Sequence, residues 1–331
     1  MSTRERRERS NESDRFLTEL FHKAAKVHNG IDSGKEIALA AVGGYGRGEL
    51  SPGSDLDIVF LHSGKVSPEN LKTFVNEVLY PLWDTKSVDH SVRTRSETRE
   101  AASADLRVAT GLLDIRYIAG NPDLVSAVQA DALDFWRKNA KENLSHLHES
   151  LEQRHSRAGE LAYLLEPDLK EARGGLRDIQ ALRAISLSGA VQVPLEKISW
   201  AEGTLNNVRE SLHIASGRGK DRLLFQEQDK VAELLNYPNA DAMMSDVARA
   251  ARSVDYLLNY TWHSLEHKSR DGFGRLSKKA RVTSVAKNVS ASNREILIDP
   301  LVSLDEDPVV GLRAAATAAQ LGLPLSLDSF T

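Results

Sequence analysis

The alternation of apolar and polar positions divides the chain into readable segments. After a charged opening from Met1 to Asp14, Phe16, Leu17, Leu20, Phe21, Ala24 and Val27 recur at helical spacing. This predicts a helix over 15–28 behind a disordered tail at 1–14. An apolar run from Ile37 to Val42 stops at Gly43-Gly44, a glycine-rich crossing follows, and a second apolar run ends at Leu61, the order of strand, turn and strand. Leu71, Phe74, Val75, Val78, Leu79 and Leu82 form the stripe of a second helix, with Pro81 in its last turn. Val88, His90 and Val92 alternate with Asp89, Ser91 and Arg93, the period of a half-buried strand. Thr94 and Glu97 have the capping-box spacing, and a helical pattern runs on through Leu106, Leu112, Leu113, Ile115 and Ile118 to Gly120. Asn121-Pro122 opens a long helix to about His155, and another begins near Leu176. From Trp200 the pattern is helical, and the last fifty residues mix short apolar runs with Pro300, Pro308 and Pro324.

The second strand carries the chemistry. Asp55 and Asp57 are two apart, so in a strand they share a face at roughly 6.5–7 Å. At an effective dielectric near 20 their repulsion is on the order of 2–3 kcal/mol, which a cation between them would offset. Mg²⁺ takes hard oxygen ligands from one or two carboxylates and fills its shell with water and phosphate. The glycines of the crossing, Gly43, Gly44, Gly46, Gly48 and Gly53, allow close backbone approach and exposed N–H groups that attract phosphate. Two familiar glycine motifs are excluded. Glu49-Leu50 stands where a Walker A loop needs Lys-Ser/Thr, and Gly44, Gly46 and Gly48 spell G-x-G-x-G rather than the dinucleotide fingerprint. Asp89 is a candidate third carboxylate if its strand lies beside the second one; the plainer reading is a solvated edge aspartate.

A second stretch, 165–187, brackets Lys170, Glu171 and Arg173 between Pro167 and Gly174-Gly175, with Arg177, Asp178 and Arg183 on the helix that follows. Cations around a glycine turn at a helix start suit an anion; the plainer reading is a solvent-facing loop with a helix cap. His263, Glu266 and His267 match the H-x-x-E-H zinc-peptidase spacing, but without a further ligand they read as ordinary helix residues. So do His146, His148 and His155.

With 331 residues, 41% hydrophobic and 27% charged, the chain has room for two domains and a sizeable core. A net charge of −4 argues against a general nucleic-acid binder, so an anionic substrate has to be held by metal and local cations. The absence of cysteine excludes disulfides, thiolate zinc sites and cysteine nucleophiles. No run has the eighteen or so apolar residues of a membrane helix, and the charged N-terminus lacks the apolar centre of a signal peptide. A cytoplasmic chain is expected.

A hydrophobic residue, Gly-Gly, ten intervening residues and Asp-Leu-Asp together resemble the signature of the DNA polymerase β-like nucleotidyltransferase superfamily. The segments GGYGRGELSPGSDLDIVFL, LWDTKSVDHSVRT, EPDLKEARGGLRDIQALR and VRESLHIASGRGKDRLLFQEQ resemble, in order, the amino-terminal half of the bifunctional uridylyltransferase/uridylyl-removing family that modifies PII nitrogen-signalling proteins. The resemblance implies an α+β fold, with a small mixed sheet and flanking helices over 15–160 and an all-helical domain over 161–331. It implies UMP transfer from UTP to a tyrosine hydroxyl of a PII-type partner, releasing pyrophosphate, with two Mg²⁺ ions. Asp55 and Asp57 would hold metal with Asp89 assisting; Gly43, Gly44, Arg47, Ser54, Lys170, Arg173 and Arg177 would bind nucleotide. Full-length members continue into a hydrolase domain marked by a His-Asp pair and two ACT-type domains. This chain has no His-Asp dipeptide, so transfer without removal is expected. ATP in place of UTP, on PII or on a small molecule, and a turnover-free module that binds nucleotide or PII are the competing readings.

Overall fold

The computed structural model describes residues 3–27, 31–83, 87–271, 282–292, 294–303 and 305–327. They form two compact units, 1–258 and 259–331.

The first unit opens with α1 (Thr3–Val27), then β1 (Ile37–Ala41), a single helical turn α2 (Gly43–Gly46), β2 (Leu56–His62), α3 (Pro68–Trp83) and β3 (Val88–Thr94). There follow α4 (Arg95–Ala104), α5 (Leu106–Leu112), β4 (Arg116–Gly120), α6 (Pro122–Lys138) and α7 (Ala140–Ala158). Helices α8 (Leu176–Ser188), α9 (Ser199–Ser216), α10 (Phe225–Leu234) and α11 (Ala240–Asp271) complete it, the last running on into the second unit. The strands make one mixed sheet in the order β3-β2-β1-β4, in which β1 runs antiparallel to both neighbours and β2 parallel to β3.

All five β1 residues are buried, because helices cover both faces of the strand. Ile37, Leu39 and Ala41 join Leu56, Ile58 and Phe60 in a core with Leu17 and Phe21 of α1 and Phe74, Val78 and Leu82 of α3. Against the other face of β1 and β2 lies α6, whose fully buried Trp136 donates from its indole nitrogen to the Ala184 carbonyl of α8 at 2.8 Å. Side chains alternate along a strand, so Asp57, out of step with Leu56 and Ile58, faces away from the α1–α3 core. The helices after 160 are tied to this same side, and the sheet and those helices build one unit.

Four expectations are corrected. The stretch at 1–14 is helical from Thr3: Arg6 and Arg9, one turn apart, both bind the fully buried Glu210, and Ser10 and Ser13 are buried as well. The expected helix through Ile118 breaks at Asp105, which caps α5, and 116–120 is a strand, drawn out by pairing with the free edge of β1. The expected helix from Pro122 to His155 is interrupted at Asn139. The final region is not all helical. In the second unit β5 (Thr283–Ala286), β6 (Val289–Ser292) and β7 (Glu295–Ile298) form an antiparallel meander under α12 (Val310–Leu321) around Val289, Ile296, Val310 and Ala314. Its short alternating strands had no helical competitor to suppress them. The capping box is as expected: Glu97 N donates to Thr94 Oγ1, and the Glu97 carboxylate accepts from Thr94 N. Among the described residues, no helix is long and apolar enough to cross a membrane.

Candidate active site

A cleft of about 680 Å³ opens on the Asp57 side of the sheet, lined by Gly43, Gly44, Arg47, Ser54, Asp55, Asp57, Asp89, Lys170 and Arg177 among others. Its floor is the junction between β1 and β2. The Val42 amide donates to the Asp57 carbonyl at 3.0 Å, and Gly43, at φ 56°, turns the chain so sharply that Asp57 Oδ2 lies 3.6 Å from where a Cβ on Gly43 would sit. The carboxylate therefore lies beside the bend. Gly46 is forced for another reason: a Cβ there would lie 2.0 Å from the Asp114 carbonyl oxygen.

The acids come from the starts of two neighbouring strands. Asp55 immediately precedes β2, and Asp57 is directly opposite Asp89 in the parallel register. Asp57 is half-buried, while Asp55 and Asp89 are exposed. None of the three carboxylates has a hydrogen-bond or ion-pair partner among the described residues. Burial pushes the Asp57 carboxyl above its ordinary pKa, the charges of Asp89 and Asp55 push it further, and Lys170 and Arg177 pull it partly back. Acids at the starts of two strands and cations from the loop before α8 and from its first turn thus share one electrostatic field. No three His, Asp or Glu side chains among the described residues close on a point as a ready-made metal cage. What is present is the open carboxylate set that suits an ion sharing its shell with phosphate and water.

The glycine turn is braced from outside. Asp14 of α1 accepts from the Tyr45 hydroxyl at 2.7 Å and from Arg116, which also donates to the Gly46 and Tyr45 carbonyls. Burial, and then the Asp14 carboxylate, push the Tyr45 phenol far above its usual range. Arg47 is held, partly buried, between Glu49 at 2.8 Å and Asp114 at 2.5 Å, and Glu49 also takes Arg183 at 3.0 Å. Two of the Arg47 nitrogens are thus spent on folding the turn; Nη2 lies 3.8 Å from where a Cβ on Gly44 would sit. Ser54 closes the turn, its amide donating to the Ser51 carbonyl and its hydroxyl accepting from the Ser51 amide.

The 165–177 segment is shaped by Asp178, fully buried at the start of α8. Asp178 accepts from the Gly174 amide at 2.6 Å, from His155 at 2.9 Å and from Arg154. His155, expected to be an ordinary helix-face residue, is thus a buried partner. Lys170 and Arg177 reach the cleft; Arg173 does not line it, because its Nε is held by Asp255 at 2.6 Å. That corrects its grouping with the other two. His263 is on α11, and the side chain of His267 lies outside the described residues. Sequence reasoning missed Ser51, Arg209, His213 and Asp221. Their only signal was the Gly217–Gly219 break, which reads as a helix terminator.

Comparison with known proteins agrees with this geometry. The chain matches the nucleotidyltransferase domain model over 29–108 and the GlnD PII-uridylyltransferase model over 142–188 and 194–262. Among its relatives, a protein of Streptomyces coelicolor is 41% identical over 327 residues, covering 95% of this chain and 38% of the relative. One of Mycobacterium tuberculosis is 34% identical over 316 residues, 92% of this chain and 39% of the relative. One of Corynebacterium glutamicum is 32% identical over 292 residues, 87% and 41% respectively. Each is named a bifunctional uridylyltransferase/uridylyl-removing enzyme. The chain spans about two fifths of the length of these relatives.

Proposed function

We propose, because the chain belongs to the family of the bifunctional uridylyltransferase/uridylyl-removing enzymes, that it transfers UMP from UTP to a tyrosine hydroxyl of a PII-type signal protein and releases pyrophosphate. The observation that carries this reading is the trio Asp55, Asp57 and Asp89, without a side-chain partner among the described residues and set against a glycine turn and two cations in one cleft. Three carboxylates without partners among the described residues fit a site whose counter-charge arrives with the substrate.

The donor set fits Mg²⁺, with Asp55 and Asp57 as ligands, Asp89 assisting, and two ions as the expected number. When bound, such ions neutralise phosphate charge and make the acceptor hydroxyl easier to deprotonate. The chain's own residues do the positioning. Backbone N–H groups at Gly43 and Gly44 and the Ser54 region cradle the triphosphate, and Arg47 keeps that turn in shape. Lys170 and Arg177 line the same cleft and offset the triphosphate charge. The acceptor oxygen bonds to the α-phosphorus as the bond to the pyrophosphate oxygen breaks, and the phenolic proton leaves to solvent. Holding the reactants in line and neutralising charge supply the acceleration.

The test is incubation of the chain with a PII-type protein, Mg²⁺ and each labelled nucleoside triphosphate in turn. Label from UTP on a tyrosine, with pyrophosphate released, is the expected outcome. Label from ATP alone would replace uridylyl by adenylyl transfer, and binding without pyrophosphate release would leave a regulatory module.

A further inference from the structure

The loop between α9 and α10 touches both halves of the proposed triphosphate site. Gly219 presses backbone to backbone on Gly53 of the glycine crossing: a Cβ on Gly219 would lie 2.1 Å from the Gly53 oxygen, and one on Gly53 2.5 Å from Gly219 Cα. Two residues on, the same loop pairs with the segment that carries Lys170. The Leu169 amide donates to the Asp221 carbonyl, and the Leu223 amide to the Pro167 carbonyl, both at 2.9 Å.

The side chain of Asp221 joins the two contacts. It lines the cleft, is 12% exposed, and accepts from Arg209 Nε at 2.6 Å and from His213 Nε2 at 2.9 Å, with Lys170 Nζ at 3.8 Å. Arg209 reaches on from Asp221 to donate to Ser51 Oγ at 2.9 Å, and Ser51 exchanges two hydrogen bonds with Ser54. Nδ1 of His213 is buried without a partner among the described residues. The ring therefore meets Asp221 through Nε2 alone. The Asp221 charge is then shared between Arg209, which faces the turn, and Lys170, which faces the cleft.

We infer that Asp221 is a positioning residue for nucleotide binding: it ties Lys170 to the 51–54 turn, so that the cation and the amide donors meet the same triphosphate. This rests on the reading of the cleft as a nucleoside-triphosphate site. A purely local view gives the opposite expectation, since removing a negative charge beside an anionic ligand strengthens its binding. A purely structural role lowers stability, turnover and acceptor use together.

The experiment compares the wild type, Asp221→Asn, Lys170→Met and the double variant. It measures UTP–Mg²⁺ binding by calorimetry, and KM for UTP and for a PII-type acceptor, kcat and Tm. Positioning predicts that Asp221→Asn weakens nucleotide binding and raises KM for UTP by about tenfold, the equivalent of about 1.4 kcal/mol. The change in kcat and in acceptor KM stays below about threefold, and Asp221→Asn adds less than about twofold once Lys170 is Met, because coupled residues are not additive. Unchanged or tighter binding, full additivity with Lys170→Met, or a parallel fall in every parameter overturns it. Should Asp221→Asn not fold, Ser51→Ala cuts the other arm without touching a charge; a several-fold rise in KM for UTP supports the tie, and none overturns it. If the wild type binds no nucleoside triphosphate, the site reading fails and this role with it. If it binds and Asp221→Asn binds equally well, only the positioning role fails.

Discussion

The acids at the strands and the acids of the helical region in the first unit are treated in opposite ways. Asp178 and Glu210 are fully buried, and Asp221 nearly so, each held by an arginine, with a histidine as well for Asp178 and Asp221 and a second arginine for Glu210. Burial alone would raise the pKa of Asp221, but the His213 hydrogen bond and the charge of Arg209 hold it at about 2. Asp178 is likewise held below the usual carboxylate range by His155 and Arg154 against a large burial effect. Asp57 is pushed the other way, and its nearest charges include two more carboxylates. The helical region satisfies its buried acids with arginine and histidine, whereas the three acids at the starts of β2 and β3 have no such partner among the described residues, which is what the proposed substrate-bound counter-charge requires. The first group holds the fold; the second is set against it.

Exchanging the carboxylates for amides separates the two groups, and the largest effect is expected on chemistry. Asp57→Asn should reduce transfer about a thousandfold, in line with loss of a metal-held phosphoryl-transfer site. Without metal its Tm should match or exceed that of the wild type, because a repulsion is removed. Undiminished transfer would place the chemistry elsewhere. Asp178→Asn should do the reverse and destabilise the unit by about 3–5 kcal/mol, since Arg154 is left buried beside an uncharged partner; urea unfolding measures it. A loss below 1 kcal/mol would mean that Arg154 finds water instead.

Acid titration sharpens the contrast through its sign. The pKa of Asp221 falls on folding, so its stabilisation is complete above its unfolded value of 3.8 and is lost as pH drops from there toward about 2. The linkage is worth about 2 kcal/mol at most. The pKa of Asp57 rises on folding, so between 3.8 and its folded value the native state holds a proton that the unfolded chain has released. Without metal, lowering the pH through that window should stabilise the wild type relative to Asp57→Asn. Below 3.8, further acid should destabilise it relative to Asp221→Asn. Metal-free unfolding curves across the acid range for the three proteins check both slopes, and parallel curves would dissolve the distinction.

Legibility in the sequence followed the range of the interactions. The Asp55–Asp57 pair, the glycine bend and the Thr94–Glu97 cap are local, with spacing and residue type carrying them; the bend and the cap lie where the pattern put them, with Asp57 on β2 and Asp55 just before it. The pairing of Asp89 with Asp57 needed only two strands to be neighbours. What stayed hidden depends on partners far along the chain. Arg6 and Arg9 read as a solvated tail because Glu210 is some two hundred residues away, and 116–120 read as helix because only the edge of β1 makes it a strand. Lys170, Arg173 and Arg177 are indistinguishable as a run of cations; which of them faces the cleft is decided by Asp255, on a helix that no local pattern links to the loop.

That last distinction gives the smallest expected effect. Arg177 lines the cleft, acts on Asp57, and among the described residues is held only by the part-exposed Glu171 at 3.0 Å, whereas Arg173 points to Asp255 and the Gly174 backbone beside it packs directly on Ala251. Replacing Arg177 by Met removes a charge that the triphosphate would otherwise meet across partly screened solvent, a contribution of about 1 kcal/mol. A roughly fivefold rise in KM for nucleotide follows, shrinking as salt is raised. Arg173→Met should leave KM within about twofold and should instead lower Tm, because a part-buried ion pair on α11 loses one member. Both variants measured at low and at moderate salt give four KM values. If Arg173→Met shows the larger, salt-sensitive rise, the cation that meets the nucleotide is the one turned toward Asp255 here, and the loop before α8 must rearrange when nucleotide binds.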